Sequence, residues 1–535
     1  MHKPSKYTLR VTGVSLLMNV GAGLFGFDTG SIGAITTMEE FERTFGGGKL
    51  GELLRGVIVS LILITSGVTG VLAGTVSDKL SRKWTISLGA AIFAIGSAIS
   101  AGAVTSLGVL MLGRCIAGLG EGLFLSILAV YVSECSPKHL RAQMILIHQL
   151  FIAGGVAMGF FVCYGTARIP GSMAWRTPFV LQTASACILA VAAPLMPYSP
   201  RWLLSKGRRD EAIQVIDYFV APEHVNERSE LLAIPPGAKL SQWQAMKDIW
   251  SPDVRRRTLI GIAVNVFQQL SGIDFVLFFA PLLFQQAGLD PSTSSFIASG
   301  VTGLVLVACC MIGYTYIHKV GRRTIWLNGG TAVATCLYVL GALYATGGAG
   351  TPVGKWMCLV FIELFAAFYT LSWAMITTLY SSETQPARTR AAATAFGRGM
   401  NQLVNFAVAL SGPYFLQESS YGPYLTYGTF TAVGVIFGFF FMPEVAGRSL
   451  EGIDETFQGS PIAVKMPRFL RSARARQTRQ RRSSRSGSAT LPGETRADIR
   501  RMAVELSTIG ERDSAIAVEE GSGDVGLASA RQVKV

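Results

Sequence analysis

Long apolar runs separated by short polar stretches set the pattern of this chain. Windows of about twenty residues, enough for a helix to cross ~30 Å of hydrocarbon, predict twelve helices at 11–36, 54–74, 84–104, 107–133, 145–166, 177–196, 258–286, 293–317, 324–345, 354–382, 392–416 and 424–442. They are called spans 1 to 12 below. Six precede the long polar segment 199–257 and six follow it. The expected fold class is therefore an all-α membrane protein with two six-helix halves.

The basic residues orient it. Ends and loops holding Lys3/Lys6/Arg10, Lys79/Arg82/Lys83, Lys138/Arg141, Arg201 to Arg257, Lys319/Arg322/Arg323 and Arg388/Arg390 alternate with loops almost free of Lys and Arg. Cytoplasmic loops carry that excess, so both termini are expected in the cytoplasm. The organisation read from this is a cytoplasmic N-terminus 1–10, a first half 11–198, a cytoplasmic loop 199–257 with a helix over 208–219, a second half 258–442, and a tail 443–535. The tail crowds Arg468, Arg471, Arg474, Arg476, Arg479, Arg481, Arg482 and Arg485 together, a composition expected to stay disordered and to draw anionic lipid.

The halves repeat each other. Ser133-Glu134-Cys135-Ser136-Pro137-Lys138-His139-Leu140-Arg141 returns as Ser382-Glu383-Thr384-Gln385-Pro386-Ala387-Arg388-Thr389-Arg390, and Asp78-Lys79-Leu80-Ser81-Arg82-Lys83 returns as His318-Lys319-Val320-Gly321-Arg322-Arg323. Parallel repeats that meet at a central cavity are the architecture of a secondary transporter. Glu and Arg at those helix ends can form charge-assisted pairs that hold an inner gate in one state and part in another. They can equally be topology signals at solvated helix ends.

Composition agrees with a membrane protein: the 535 residues are 50% hydrophobic and only 15% charged, which excludes a soluble enzyme. The N-terminal run is a full span without a cleavage site, so no signal peptide is expected. The eight cysteines make neither a CxxC pair nor a cluster with histidine, so no metal site or other cofactor is expected. A formal charge of +14 concentrated in loops and tail points to lipid rather than nucleic acid.

Chemistry is carried by polar residues inside apolar runs. Asp28 is the one formal charge between Val11 and Thr36. At the bilayer centre an acid costs roughly 2.5–3.5 kcal/mol on insertion scales, so it must face a cavity, meet a cation or carry a proton. Arg114 in span 4 is the expected partner, and Glu121 follows at i+7 on the same helix face, about 10 Å along. A proton reaching Asp28 would release Arg114. Gln149 in span 5, Gln268-Gln269 and Asp274 in span 7, and Asn401 and Asn405 in span 11 offer donors and acceptors for a polyhydroxylated ligand. Phe278, Phe279, Phe368, Tyr369 and Trp373 could wall the same site or serve as packing, and the role of Glu363 stays open.

These residues give the chain a specific resemblance: over about 10–455 it resembles a sugar porter of the major facilitator superfamily. Gly26-Phe27-Asp28-Thr29-Gly30, Gly113-Arg114 with Gly118, Gly120 and Gly122, Pro197-Tyr198-Ser199-Pro200-Arg201, Gln268-Gln269-Leu270-Ser271-Gly272, Val320-Gly321-Arg322-Arg323, and Pro443-Glu444 with Gly447-Arg448 match that family's motifs. The resemblance implies the major facilitator fold and Asp28–Arg114 as a proton-coupling pair. It also implies a sugar site at Gln149, Gln268, Gln269, Asn401 and Asn405, and gate pairs that include Arg201 and Glu444. Departures concern the pocket: Asp274 stands where most sugar porters have Asn, Gln402 where they have Trp, Ala374-Met375 where they have Gly-Pro, Thr378 where they have a second Trp, and Leu306 lies where an Asn or Gln is usual. Tyr198 replaces a Glu. The expected function is proton symport of a sugar, polyol or related hydroxylated compound by a monomer in the plasma membrane. The alternatives are a non-transporting nutrient sensor of the same fold and a porter for a non-sugar such as quinate.

Overall fold

The computed structural model describes residues 6–446 apart from 48–49, 105, 221–231, 233–241, 290–293, 318 and 387–388, together with Phe457. Within these residues every long element is a helix, the one secondary structure besides a closed barrel that satisfies its own backbone in hydrocarbon.

The twelve spans lie where the apolar runs place them. Span 1 is Lys6–Met18 continued by Val20–Thr36, and spans 2 to 6 are Glu52–Leu80, Arg82–Ala101, Leu107–Cys135, Lys138–Thr166 and Met173–Leu195. Span 7 begins as Arg255–Leu270, span 8 is Ser294–Tyr316, and span 9 is Arg322–Ala345. Span 10 runs from Pro352 to Glu383, span 11 is Arg390–Glu418 and span 12 is Gly422–Phe441. Between the halves, Pro200–Ser205 and Arg209–Phe219 are short helices, the second close to the helix expected over 208–219.

Eleven of the twelve are long and apolar enough to cross a membrane. Span 11 is the exception, and its length of 29 residues is ample. Arg398, Asn401, Gln402 and Asn405 depress its apolarity, because this helix turns a polar face to a central cavity.

Two spans are interrupted, each for a local reason, whereas span 1 carries its backbone ladder through the buried Asn19, whose side chain is bound to His148. Span 7 divides into Arg255–Leu270, Ile273–Phe278 and Ala280–Gln286. Its first break is at Gly272, which takes φ +78 with Tyr427 packed where a side chain would begin. Span 10 widens into a π-turn at Thr370–Ala374, an irregularity that often marks a functional site.

Spans 1 and 5 meet without intervening side chains: a Cβ on Gly26 or Gly30 would run into the backbone of Ile152 or Val156. Small residues are what permit such approach where lipid offers no hydrophobic driving force between helices.

At the basic helix ends the sequence repeat becomes a structural one. Arg82 binds Glu134 at 3.2 Å in the first half, and Arg322 binds Glu383 at 3.2 Å in the second. Asp78 adds a second acid to Arg82 at 2.6 Å, and Ser199 donates to Glu134 at 2.5 Å. In the second half Glu444 accepts from the backbone N–H of Arg322 and of Arg323 at 2.8 and 3.1 Å. Tyr198, the departure from Glu at the matching place, offers its ring to Lys83, whose Nζ lies 3.9 Å from the centroid and donates to the carbonyls of Pro194 and Met196.

Between these motif pairs stands Ser81, which caps span 3 at φ +100, a backbone conformation that L side chains rarely adopt. Its counterpart in the second half, Gly321, takes an ordinary φ of −64. Left-handed backbone at a non-glycine residue costs on the order of 1–3 kcal/mol. Ser81→Gly is therefore expected to stabilise the protein by about 1 kcal/mol, read as a higher melting midpoint of the purified protein in detergent. A lower midpoint would show that the Ser81 cap on the Trp84 N–H outweighs the strain.

Candidate functional site

Two polar assemblies occupy the apolar interior. The first centres on Asp28, which is 3% exposed, and Arg114, which is 1% exposed. Arg114 Nη1 donates to Asp28 Oδ1 at 2.5 Å, while its Nε and Nη2 donate to the carbonyls of Ile58 and Val59 at 3.3 and 3.2 Å. Spans 1, 2 and 4 are thus joined through one guanidinium. Gln182 of span 6 completes the shell, its Nε2 donating to Asp28 Oδ1 at 3.1 Å and to Ser31 Oγ at 3.4 Å.

Glu121 is fully buried on the same helix as Arg114, two turns further along. Its carboxyl oxygens meet no donor at hydrogen-bond geometry among the described residues, although the Ser66 hydroxyl lies close by.

The second assembly is a cavity between the halves. Span 5 contributes Gln149, span 7 Gln268, Gln269 and Asp274, span 10 Tyr369 and Thr370, and span 11 Arg398, Asn401 and Gln402. Residues far apart in sequence meet here because spans 7 and 11 pack side by side with their polar faces inward.

The amides form one network. Gln268 Nε2 donates to the Tyr369 hydroxyl at 2.6 Å, Asn401 Nδ2 donates to Gln268 Oε1 at 2.6 Å, and Gln269 Nε2 donates to Asn401 Oδ1 at 3.0 Å. Asn405 lies one turn further and donates to Asp274 Oδ2 at 2.5 Å. Gln402 of span 11 reaches Ser66 of span 2 at 3.3 Å, a bond from one half to the other. Gln269 Oε1 is buried without a donor among the described residues. Such an atom can be satisfied by an incoming hydroxyl.

The structure brings Asp28, Arg114 and Glu121 together, and Gln149, Gln268, Gln269, Asp274 and Asn401 around the cavity. Asn405 touches Asp274 rather than the cavity surface. Trp373 corrects the expectation of a wall residue. It is fully buried behind the cavity, stacked on Trp326 at 4.1 Å, and its Nε1 donates to the Trp326 carbonyl. With Gly330 and Gly434 against it, its large ring is taken up by packing spans 9, 10 and 12.

The ion pairs among the gate candidates fall within each half. Asp78, Arg82 and Glu134 pair within the first half, and Arg322 and Glu383 within the second, so they bind helices of one half to each other. Arg323 is bound to the Phe439 carbonyl and Arg390 to that of Gln385, while Arg201 is exposed. Arg388 and the Arg141 side chain lie outside the described residues.

Three residues escaped the sequence reading. Gln182 and His148 are polar residues inside apolar spans and could have been flagged by that alone. Arg398 carries the same signal as Arg114, a formal charge well inside a span.

Two inward-facing helical halves around a polar cavity, with a buried acid–base pair off its axis, define a membrane transporter of the major facilitator superfamily. The family model described as "Sugar (and other) transporter" matches residues 14–457, and the chain belongs to that family. "Probable polyol transporter 4" of Arabidopsis thaliana is 30% identical over 466 residues, covering 85% of this chain and 86% of the relative. "Probable quinate permease" of Aspergillus flavus is 28% identical over 464 residues, covering 82% and 86%. The solved structure of the proton:xylose symporter XylE bound to 6-bromo-6-deoxy-D-glucose superposes with a TM-score of 0.71 at 23% identity, covering 84% of this chain and 99% of that one.

Removing the Gln268 amide takes a donor from Tyr369 and an acceptor from Asn401 at once. Leaving such a group unpaired costs on the order of 1–3 kcal/mol, so Gln268→Ala is expected to raise the apparent KM for the cargo about 5- to 150-fold. A wild-type KM in uptake measurements would put the network outside the binding site.

Proposed function

We propose that this protein carries a polyhydroxylated small molecule across the plasma membrane together with a proton, by alternating access of the cavity between its halves. The observation that carries the reading is the Asp28–Arg114 pair, buried at 2.5 Å. Protonation of Asp28 removes the charge that holds Arg114, and the guanidinium must then find another partner or move. Either outcome shifts the packing of spans 1, 2 and 4 that it ties together. A proton is thereby coupled to the arrangement of helices that border the cavity.

Cargo recognition is assigned to Gln149, Gln268, Gln269 and Asn401, with Asp274 supported by Asn405. Amide rows hold hydroxyls without needing a charge on the ligand. The relatives' names give two cargo chemistries, a polyol and quinate, and both present several hydroxyls. The basic residues beyond 464 are assigned to anionic lipid, and the unit that transports is the monomer.

The test is uptake of a labelled panel of sugars, polyols and quinate in transport-deficient cells, with and without a proton uncoupler. Wild-type protein is expected to accumulate at least one compound uphill and to lose that accumulation with the uncoupler. Asp28→Asn is expected to abolish uphill accumulation while retaining exchange of cargo at equal concentrations. Uphill uptake in Asp28→Asn at the wild-type level sinks the coupling role, and absence of any uptake by the wild type returns the chain to a nutrient sensor.

A further inference from the structure

We infer that Arg398 forms an anion subsite of the cavity and that the cargo is a polyhydroxylated monocarboxylate, several hydroxyls with one carboxylate, in preference to a neutral polyol. The inference rests on the transport reading above and narrows its substrate class.

Arg398 lies eight residues into span 11, one turn before Asn401 and Gln402 and on the same face of the helix. Its side chain lines the cavity together with Asp274 and the amide network. A guanidinium stays charged and presents five donors in a planar fork. At membrane depth such a group is retained where it has a counter-charge or a function.

Arg114 shows what satisfaction looks like in this fold: a carboxylate in contact and two backbone carbonyls. Arg398 has none of this. Among the described residues it makes no salt bridge and donates no hydrogen bond, although it feels the charge of Asp274. Asp274 is the one acid of the cavity lining, and its carboxylate is engaged by Asn405 at 2.5 Å. Cation and acid thus face one cavity without closing on each other, which leaves the fork open to whatever enters.

A carboxylate matches that fork in shape and charge, with two acceptor oxygens in one plane. The hydroxyls of the same molecule fall to Gln268, Gln269 and Asn401. A neutral polyol would satisfy the amides equally well and leave the guanidinium with ordinary hydroxyl acceptors. Asp274 sets the upper limit of charge, since a second carboxylate would meet it.

The experiment compares ligands matched in skeleton: gluconate against sorbitol, and quinate against myo-inositol. Apparent affinities come from ligand-induced shifts in the melting curve of the purified full-length protein, with uptake into proteoliposomes measured in parallel. In at least one pair the acid is expected to bind about tenfold tighter than its neutral match, the scale of a charge-assisted contact. Arg398→Gln should reduce that acid-over-neutral ratio about tenfold, Arg398→Lys should reduce it less, and Asp274→Asn should raise it. Should Arg398→Gln fail to fold, the Lys and Asp274→Asn variants still read the ratio in opposite directions. Equal binding of acid and neutral compound in both pairs overturns the inference, as does an unchanged ratio in Arg398→Gln. Proton-driven uptake of sorbitol or myo-inositol without recognition of either acid overturns this inference and leaves symport standing, whereas no uptake and no binding of any of the four overturns both.

Discussion

Two opposite charges held almost wholly out of water are the constraint around which this fold is built. Transferring an ion pair into an apolar interior costs several kcal/mol per ion after relaxation, recovered only when contact is direct and the remaining donors are used. Arg114 meets that demand with a carboxylate from span 1 and two carbonyls from span 2. Gly118 lets span 4 lie close against Ile62 and Thr65 of span 2, one turn from those carbonyls. Close approach at small residues and a buried ion pair reinforce each other in lipid.

Away from that pair, the two halves behave as matched bodies. The Arg82–Glu134 bridge and its copy Arg322–Glu383 tie helix ends inside each half, and Glu444 does likewise for the start of span 9. The boundary between halves is closely packed as well, with Gly56 of span 2 against the Leu410 carbonyl of span 11, Gly303 of span 8 against Ala157 of span 5, and a 3.3 Å bond from Gln402 to Ser66. Relative motion of two such halves is the general mechanical basis for alternating access.

Much of this was legible in the sequence, for reasons specific to membranes. Hydrocarbon enforces helices of fixed length, so apolar runs place all twelve spans, and an isolated charge such as Asp28 announces its partner Arg114 before any contact is seen. Less legible was the boundary between wall and packing. Trp373 lies near the polar residues of span 10, yet the π-turn at Thr370–Ala374 and the gap at Gly330 carry it behind the cavity onto Trp326. The gate candidates were legible as charged helix ends, but motif spacing does not say which acid a given arginine will meet, and Arg82 and Arg322 each meet the glutamate of their own half. Arg398 was readable by the same rule as Arg114, but a charge without a visible partner in sequence has no second residue to confirm it.

The account turns on whether proton movement is tied to cargo movement through this interior. The direct measurement is lumen pH in proteoliposomes that contain a trapped pH dye and the full-length protein, with a transported compound added outside and no imposed proton gradient. The lumen is expected to acidify in step with cargo entry. Cargo that enters while lumen pH stays constant would contradict it, leaving a facilitator whose buried pair is structural.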